Sequence, residues 1–152
     1  MGSLLAVDLG LRAGLALYGS DGRLVWYRSR NFGTNTRLRQ AVHGILAELP
    51  DITWMVMEGG GPIAEIWKRE AARRGVQVLQ IAAEQWRERL FYTREHRNGP
   101  QAKHNAGILA RQVIEWSQAA RPTSLRHDAA EAILIGLYGV LQIGWLQRVP
   151  TK

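Results

Sequence analysis

The sequence predicts an α/β fold: a mixed five-stranded sheet, three antiparallel strands and then parallel strands, flanked by helices. Three observations carry that expectation. Short apolar runs separated by turn signals fill the chain as far as Tyr27. Beyond them, strand-like runs alternate with stretches of helical periodicity, the pattern of strand–helix–strand units. At 152 residues the chain suits a single domain, 1–152, able to bury its own core.

Each element has its own justification. Leu4-Leu5-Ala6-Val7 is continuously apolar, as a central strand buried on both faces would be. Asp8 ends it, and Gly10 and Gly14 are expected in a tight turn or bulge. Leu15-Ala16-Leu17-Tyr18 and Leu24-Val25-Trp26-Tyr27 read as two more strands around the hairpin signal Gly19-Ser20-Asp21-Gly22. From Thr34 to Leu49, Leu38, Ala41, Val42, Ile45 and Leu46 share one helical stripe, ended by Pro50-Asp51. Trp54-Met55-Val56-Met57 is a fourth strand and delivers Glu58 to its end. After Gly59-Gly60-Gly61-Pro62, Ile63 to Arg74 reads as a helix stopped by Gly75. Val76 to Ile81 is a fifth strand, followed by a short helix around Glu84 to Arg89. Leu90 to Gly99 is polar and basic and is expected to be a loop. Ala102 to Gln118 is a helix, and Thr123 or Ser124 would cap a last helix running to about Gly144.

Composition narrows the function. There is no cysteine, which excludes disulfide scaffolds, cysteine metal sites and thiol nucleophiles. No apolar run is long enough to span a membrane. The N-terminus lacks a basic region and meets Asp8 early, unlike a signal peptide. A cytoplasmic, nucleoid-associated protein is expected, or a plastid one after loss of a transit peptide. The net charge is +7, and 17 of the 20 cationic side chains are Arg, the residue that forks onto phosphate. From Lys68 to Lys103 nine cations stand against four Glu. A polyanion partner, nucleic acid above all, fits that balance.

The carboxylates carry the chemistry. Asp8 and Glu58 each follow four apolar residues and precede a glycine or Leu-Gly. If their strands are parallel neighbours, both emerge at the carboxyl edge of the sheet, where α/β sites form. Asp128 and Glu131 lie at i, i+3 on one face of the last helix, amid Ala129, Ala130, Ala132 and Ile133. Small residues there allow a close approach to the sheet. Four acids drawn together need a cation, and Mg²⁺ suits a few carboxylates plus phosphate oxygens, with Mn²⁺ as a substitute. Two ions would clamp the attacking and leaving oxygens of a phosphodiester. Each motif alone has a simpler reading as a turn former or a first-turn acid, and the combination is what is specific. His127 precedes Asp128 and is a ligand, a proton shuttle or a surface residue.

Several cations and aromatics could serve DNA. Lys103 sits early in a helix, where a cation is unfavourable unless needed, and could contact the scissile phosphate. Trp86, Phe91 and Tyr92, among Arg87, Arg89, Arg94 and Arg97, could stack on exposed bases.

These residues resemble a family. Val7-Asp8-Leu9-Gly10, the strand-end Glu58-Gly59-Gly60-Gly61-Pro62-Ile63-Ala64, Ala83-Glu84-Gln85-Trp86-Arg87, Ala102-Lys103-His104 and His127-Asp128-Ala129-Ala130-Glu131-Ala132 are similar to the ribonuclease-H-like RuvC Holliday junction resolvases, most of all the chloroplast branch and its bacterial relatives. The resemblance runs from Leu4 to about Leu141. It implies a homodimeric, Mg²⁺-dependent endonuclease that nicks a four-way DNA junction symmetrically. It matches Asp8, Glu58, Asp128 and Glu131 to the acidic tetrad, and Lys103 to the basic residue of the site. Bacterial members usually close the tetrad with Asp, and Glu131 is one methylene longer. Gly59 and Gly60 are expected to face DNA, as are Arg87, Arg94, Arg97 and Lys103. The Ile63–Arg74 helix, with Ile66 and Trp67 beside Arg69, Arg73 and Arg74, is the expected dimer contact. Rival readings are a related RNA-processing nuclease and a junction binder without catalysis. An actin-like ATPase is excluded by length, because that fold needs two lobes.

Overall fold

The apolar runs of the sequence become the middle of a sheet. In the computed structural model, which describes residues 2–91 and 99–150, Leu4 to Val7 lie in β1 (Ser3–Asp8) and are almost wholly buried. β2 (Arg12–Gly19) and β3 (Leu24–Asn31) follow as antiparallel neighbours. β4 (Ile52–Glu58) pairs with β1 in parallel, and β5 (Gln77–Ile81) pairs with β4 in parallel. The order across the sheet is β3-β2-β1-β4-β5, the mixed arrangement expected from the sequence. Among the described residues no helix is long and apolar enough to cross a membrane.

Strand alternation divides the core into two layers. Leu5, Val7, Leu15, Met55 and Met57 face α1 (Asn35–Ala47) and α2 (Gly61–Arg73). Leu4, Ala6, Ala16, Tyr18 and Val56 face the other way, toward α3 (Ala83–Leu90), α4 (Gly99–Ser117) and α5 (His127–Gln142). α5 is the most enclosed element, with every residue from Ala129 to Leu141 buried. It reaches the sheet because glycines clear its path. A Cβ at Gly136 would lie 2.2 Å from the Tyr18 ring, and one at Gly139 would lie 2.9 Å from Val56.

Some boundaries depart from expectation. α2 begins at Gly61, before Ile63, because Pro62 has the φ of a first-turn residue and Gly60 takes the N-cap position. α4 begins at Gly99 and ends one residue early, as Gln118 turns into the left-handed region at φ 60°. α5 begins at His127, with Arg126 at the N-cap and no side-chain cap. Thr123 and Ser124 therefore lie outside it, and Asp128 supplies a local acceptor by taking the Ala129 N–H at 2.8 Å. Gly14 sits inside β2 rather than in a turn. Most of the expected 90–99 loop lies outside the described residues.

Candidate active site

One row of the sheet sets the geometry. The register places Ser29, Gly14, Asp8, Glu58 and Ile81 side by side across β3, β2, β1, β4 and β5. All five face α5, because the residues two positions away on their strands, Tyr27, Ala16, Ala6, Val56 and Leu79, line the α5 side of the core. Gly14 is the gap in that row. A Cβ there would stand 1.8 Å from the Asp128 carbonyl oxygen, so only glycine lets the start of α5 rest on β2. The helix then sets Asp128 over the sheet beside Asp8, and Glu131 one turn further on.

The four predicted acids converge. Asp8 is pushed up to about 7, first by burial and then by the charges of Glu131, Glu58 and Asp128, with Arg87 pulling the other way. Burial also raises Glu131; His127 and Arg87 oppose that shift, and Glu58 adds to it. The Glu131 carboxylate is used on one side only. Its Oε1 lies 2.7 Å from His127 Nε2 and 3.7 Å from Arg87 Nη2. Its Oε2 is buried with no hydrogen-bond partner. An unpaired buried carboxylate oxygen is costly unless something positive meets it. Among the described residues the side chains do not close into a three-ligand set around one point. The hard oxygen donors, their mutual repulsion and the orphaned Oε2 nonetheless fit a divalent cation.

Two partners were not foreseen as such. Ser29 Oγ donates to Asp128 Oδ1, the oxygen that also takes the Ala129 N–H. Ser29 stands between two arginines with no motif around it, and only the strand register reveals it. Trp86 Nε1 donates to Glu58 Oε1 at 3.3 Å. Trp86 and Phe91 are 1% and 8% exposed, which removes both from base stacking. They pack edge-to-face instead, with ring centroids 6.4 Å apart. The Arg87 guanidinium sits 5.0 Å above the Trp86 ring, between that ring and Glu131.

The other expected residues are dispersed. Gly59 and Gly60 are exposed just beyond Glu58, and Gly59 has φ +123°, a conformation that side chains resist. Gly59 O accepts from Gln80 Nε2 at 2.7 Å, fixing that turn against β5. Lys103 is exposed on the second turn of α4, outside the ion pairs found among the described residues. Arg94 and Arg97, with Tyr92, lie outside the described residues. Trp67 is 0% exposed inside its own chain and so cannot anchor a dimer. Ile66 lines a groove of about 670 Å³ between α1 and α2, with Arg69 and Arg73 beside it.

Two solved structures share this architecture. RuvC of T. thermophilus, solved with a Holliday junction substrate, superposes with a TM-score of 0.65 at 16% identity, over 95% of this chain and 97% of that one. The yeast mitochondrial Holliday junction resolvase Ydc2 gives a TM-score of 0.59 at 10% identity, over 95% and 81% of the two chains. The fold of this chain is therefore RuvC-like, within the ribonuclease-H-like class. No protein-family model matches the chain, and no curated protein matches it in sequence.

Proposed function

We propose that the protein is a structure-selective DNA endonuclease that resolves four-way junctions by symmetric, metal-dependent phosphodiester hydrolysis. The observation that carries this reading is the convergence of Asp8, Glu58, Asp128 and Glu131, with one Glu131 oxygen buried and unpartnered. The RuvC-like fold adds to it, because both solved relatives are described as acting on Holliday junctions. A purely binding role gives no reason to gather four acids beside phosphate.

Asp8, Glu58, Asp128 and Glu131 would hold one or two Mg²⁺ ions. Bound there, divalent cations supply charge neutralisation at the phosphate and acidify the attacking water. The remaining work falls to side chains. Ser29 fixes one Asp128 oxygen and leaves the other for the cluster. Trp86 holds Glu58 from the protein side. Arg87 offsets carboxylate charge and presents N–H groups toward a phosphate. Lys103 contacts the scissile phosphate from the start of α4, and Gly59 and Gly60 let the backbone approach DNA closely. Two copies related by a twofold would match a twofold junction, with Ile66, Arg69 and Arg73 of α2 at the contact.

A labelled synthetic four-way junction in Mg²⁺ tests the reading. The wild-type protein should cut it into nicked duplexes, and Asp8→Asn should not. Equal cutting by both proteins, or equal cutting of linear duplex and junction, would overturn it.

A further inference from the structure

The acid cluster occupies one flank of its end of the sheet, and the other flank is cationic. Between Asp21 and Glu48 the chain carries Arg23, Arg28, Arg30, Arg37 and Arg39 and no carboxylate. β3 runs with β1 and β2 runs against it, so the start of β2, the finish of β3 and the start of α1 all meet at the end that bears Asp8. Arg12 opens β2 opposite Asn31, Arg28 and Arg30 flank Ser29, and Arg37 lies in the first turn of α1. All four are exposed. The carboxylates of the described residues pair with other cations, such as Lys68, Arg73, Arg74, Arg87 and Arg121, and with none of these four.

Two of the guanidiniums are already held. Arg28 lies 4.2 Å above the Trp26 ring, and Arg30 lies 5.3 Å above the Phe32 ring. A stacked guanidinium keeps its N–H edge free for an anion and has less freedom left to lose. Stability does not account for the set. A cation in the first turn of α1 opposes the helix dipole. Charges on β3 would guard an open sheet edge against pairing, but Arg12 is on the inner strand β2 and Arg37 is on a helix. Arg28 and Arg30 alternate to the sheet face opposite Ser29, which keeps them off the acids. With strands about 4.8 Å apart, β3 lies roughly 10 Å from β1, less than the ~12 Å width of a DNA major groove.

We propose that Arg12, Arg28, Arg30 and Arg37 form a second DNA contact, a phosphate track that carries a duplex arm away from the acid cluster around the β3 edge. The proposal rests on the nuclease reading and adds where an arm runs.

The test measures binding in an Asp8→Asn background, so that nothing is cut, on junctions with long and with short arms. Adding Arg28→Ala, Arg30→Ala and Arg37→Ala should weaken long-arm binding by about 10- to 100-fold and lower the slope of log affinity against log salt by about 2 to 3. Short-arm binding should not change, and lysine at the same three positions should restore most of the loss. If the triple variant fails to fold by thermal melting, Arg37→Ala alone should still lower the slope by about 1. Unchanged affinity and slope on long arms would overturn the track, as would an equal loss on both arm lengths. If the Asp8→Asn parent binds no junction at all, the nuclease reading itself falls, a result distinct from parental binding that ignores the arginines.

Discussion

Glu70 and Glu131 are the two charged side chains buried among the described residues, at 8% and 7% exposure. Both sit on helices, and both meet one histidine and at least one arginine. Their settings nevertheless push them in opposite directions. Glu70 is engaged through both oxygens: Oε2 lies 2.9 Å from Arg74 Nε and 3.3 Å from His43 Nδ1, and Oε1 lies 3.6 Å from Arg73 Nη1. Burial alone would raise it, but the hydrogen bonds and charges of Arg74 and His43 outweigh burial and hold it below its ordinary value. Glu131 has partners on one oxygen only, faces Glu58 and Asp8, and is raised. The first is a closed ion cluster that ties α2 to α1. The second gathers four acids around one arginine and one histidine, so its carboxylate charge stays largely unpaired among the described residues.

The largest expected effect separates the two in catalysis. Asp8→Asn or Glu131→Gln should lower junction cutting by about 10³-fold, the scale of losing a group that stabilises developing charge. Glu70→Gln should leave cutting rates intact at temperatures where the variant stays folded. Stability should sort them the other way. Glu70→Gln gives up charge-assisted hydrogen bonds and should cost about 2 kcal/mol in denaturant unfolding. Glu131→Gln relieves repulsion and should raise the melting temperature in metal-free buffer. If both variants melt alike, the contrast fails.

A smaller effect comes from Ser29. Ser29→Ala frees the Asp128 carboxylate to turn and should weaken Mn²⁺ binding by about 10-fold, with Ser29→Thr restoring it. Calorimetric titration of the ion would check this without any DNA present. An unchanged affinity would reduce Ser29 to a packing residue.

The two clusters also differ in pH dependence. Asp8 is raised to about 7, so in the absence of metal the folded chain holds a proton there that the unfolded chain has already released. Its contribution to stability is complete below about pH 4 and is lost as pH rises through 7. A divalent cation should remove that slope, and so should Asp8→Asn. Glu70 has the opposite sign, since its contribution is present above the ordinary carboxylate range and is lost as pH falls through its lowered value. Melting curves across pH, with and without Mg²⁺, measure both.

Much of this was legible in the sequence, for reasons that differ by residue. The strands showed because β1 and β4 are buried on both faces, which writes unbroken apolar runs such as Leu4–Val7 and Met55–Met57. Asp8 and Glu58 stood out as the first charges after those runs. The i, i+3 spacing of Asp128 and Glu131 showed that they share a face, but not that one would be buried and half-paired. Ser29 was hidden, because its partner lies 99 residues away and a strand register cannot be read from one strand. Trp86 misled for a related reason: an aromatic among arginines looks like a stacking platform until α3 is seen to turn it inward. The true start of α5 was missed because Thr123 and Ser124 are good caps in isolation, whereas contact with Gly14 decides where that helix sits.

The docking of α5 has a consequence for how the chain comes off the ribosome. Asp8 and Glu58 are translated early, on strands whose α5-facing side is not fully covered until the last buried helix arrives. Asp128 must cross more than a hundred residues of sequence to land on Gly14, so no shorter nascent fragment gathers all four acids. The cluster is therefore assembled only once α5 has emerged and closed the core, and the step that completes folding is also the one that brings the four acids together.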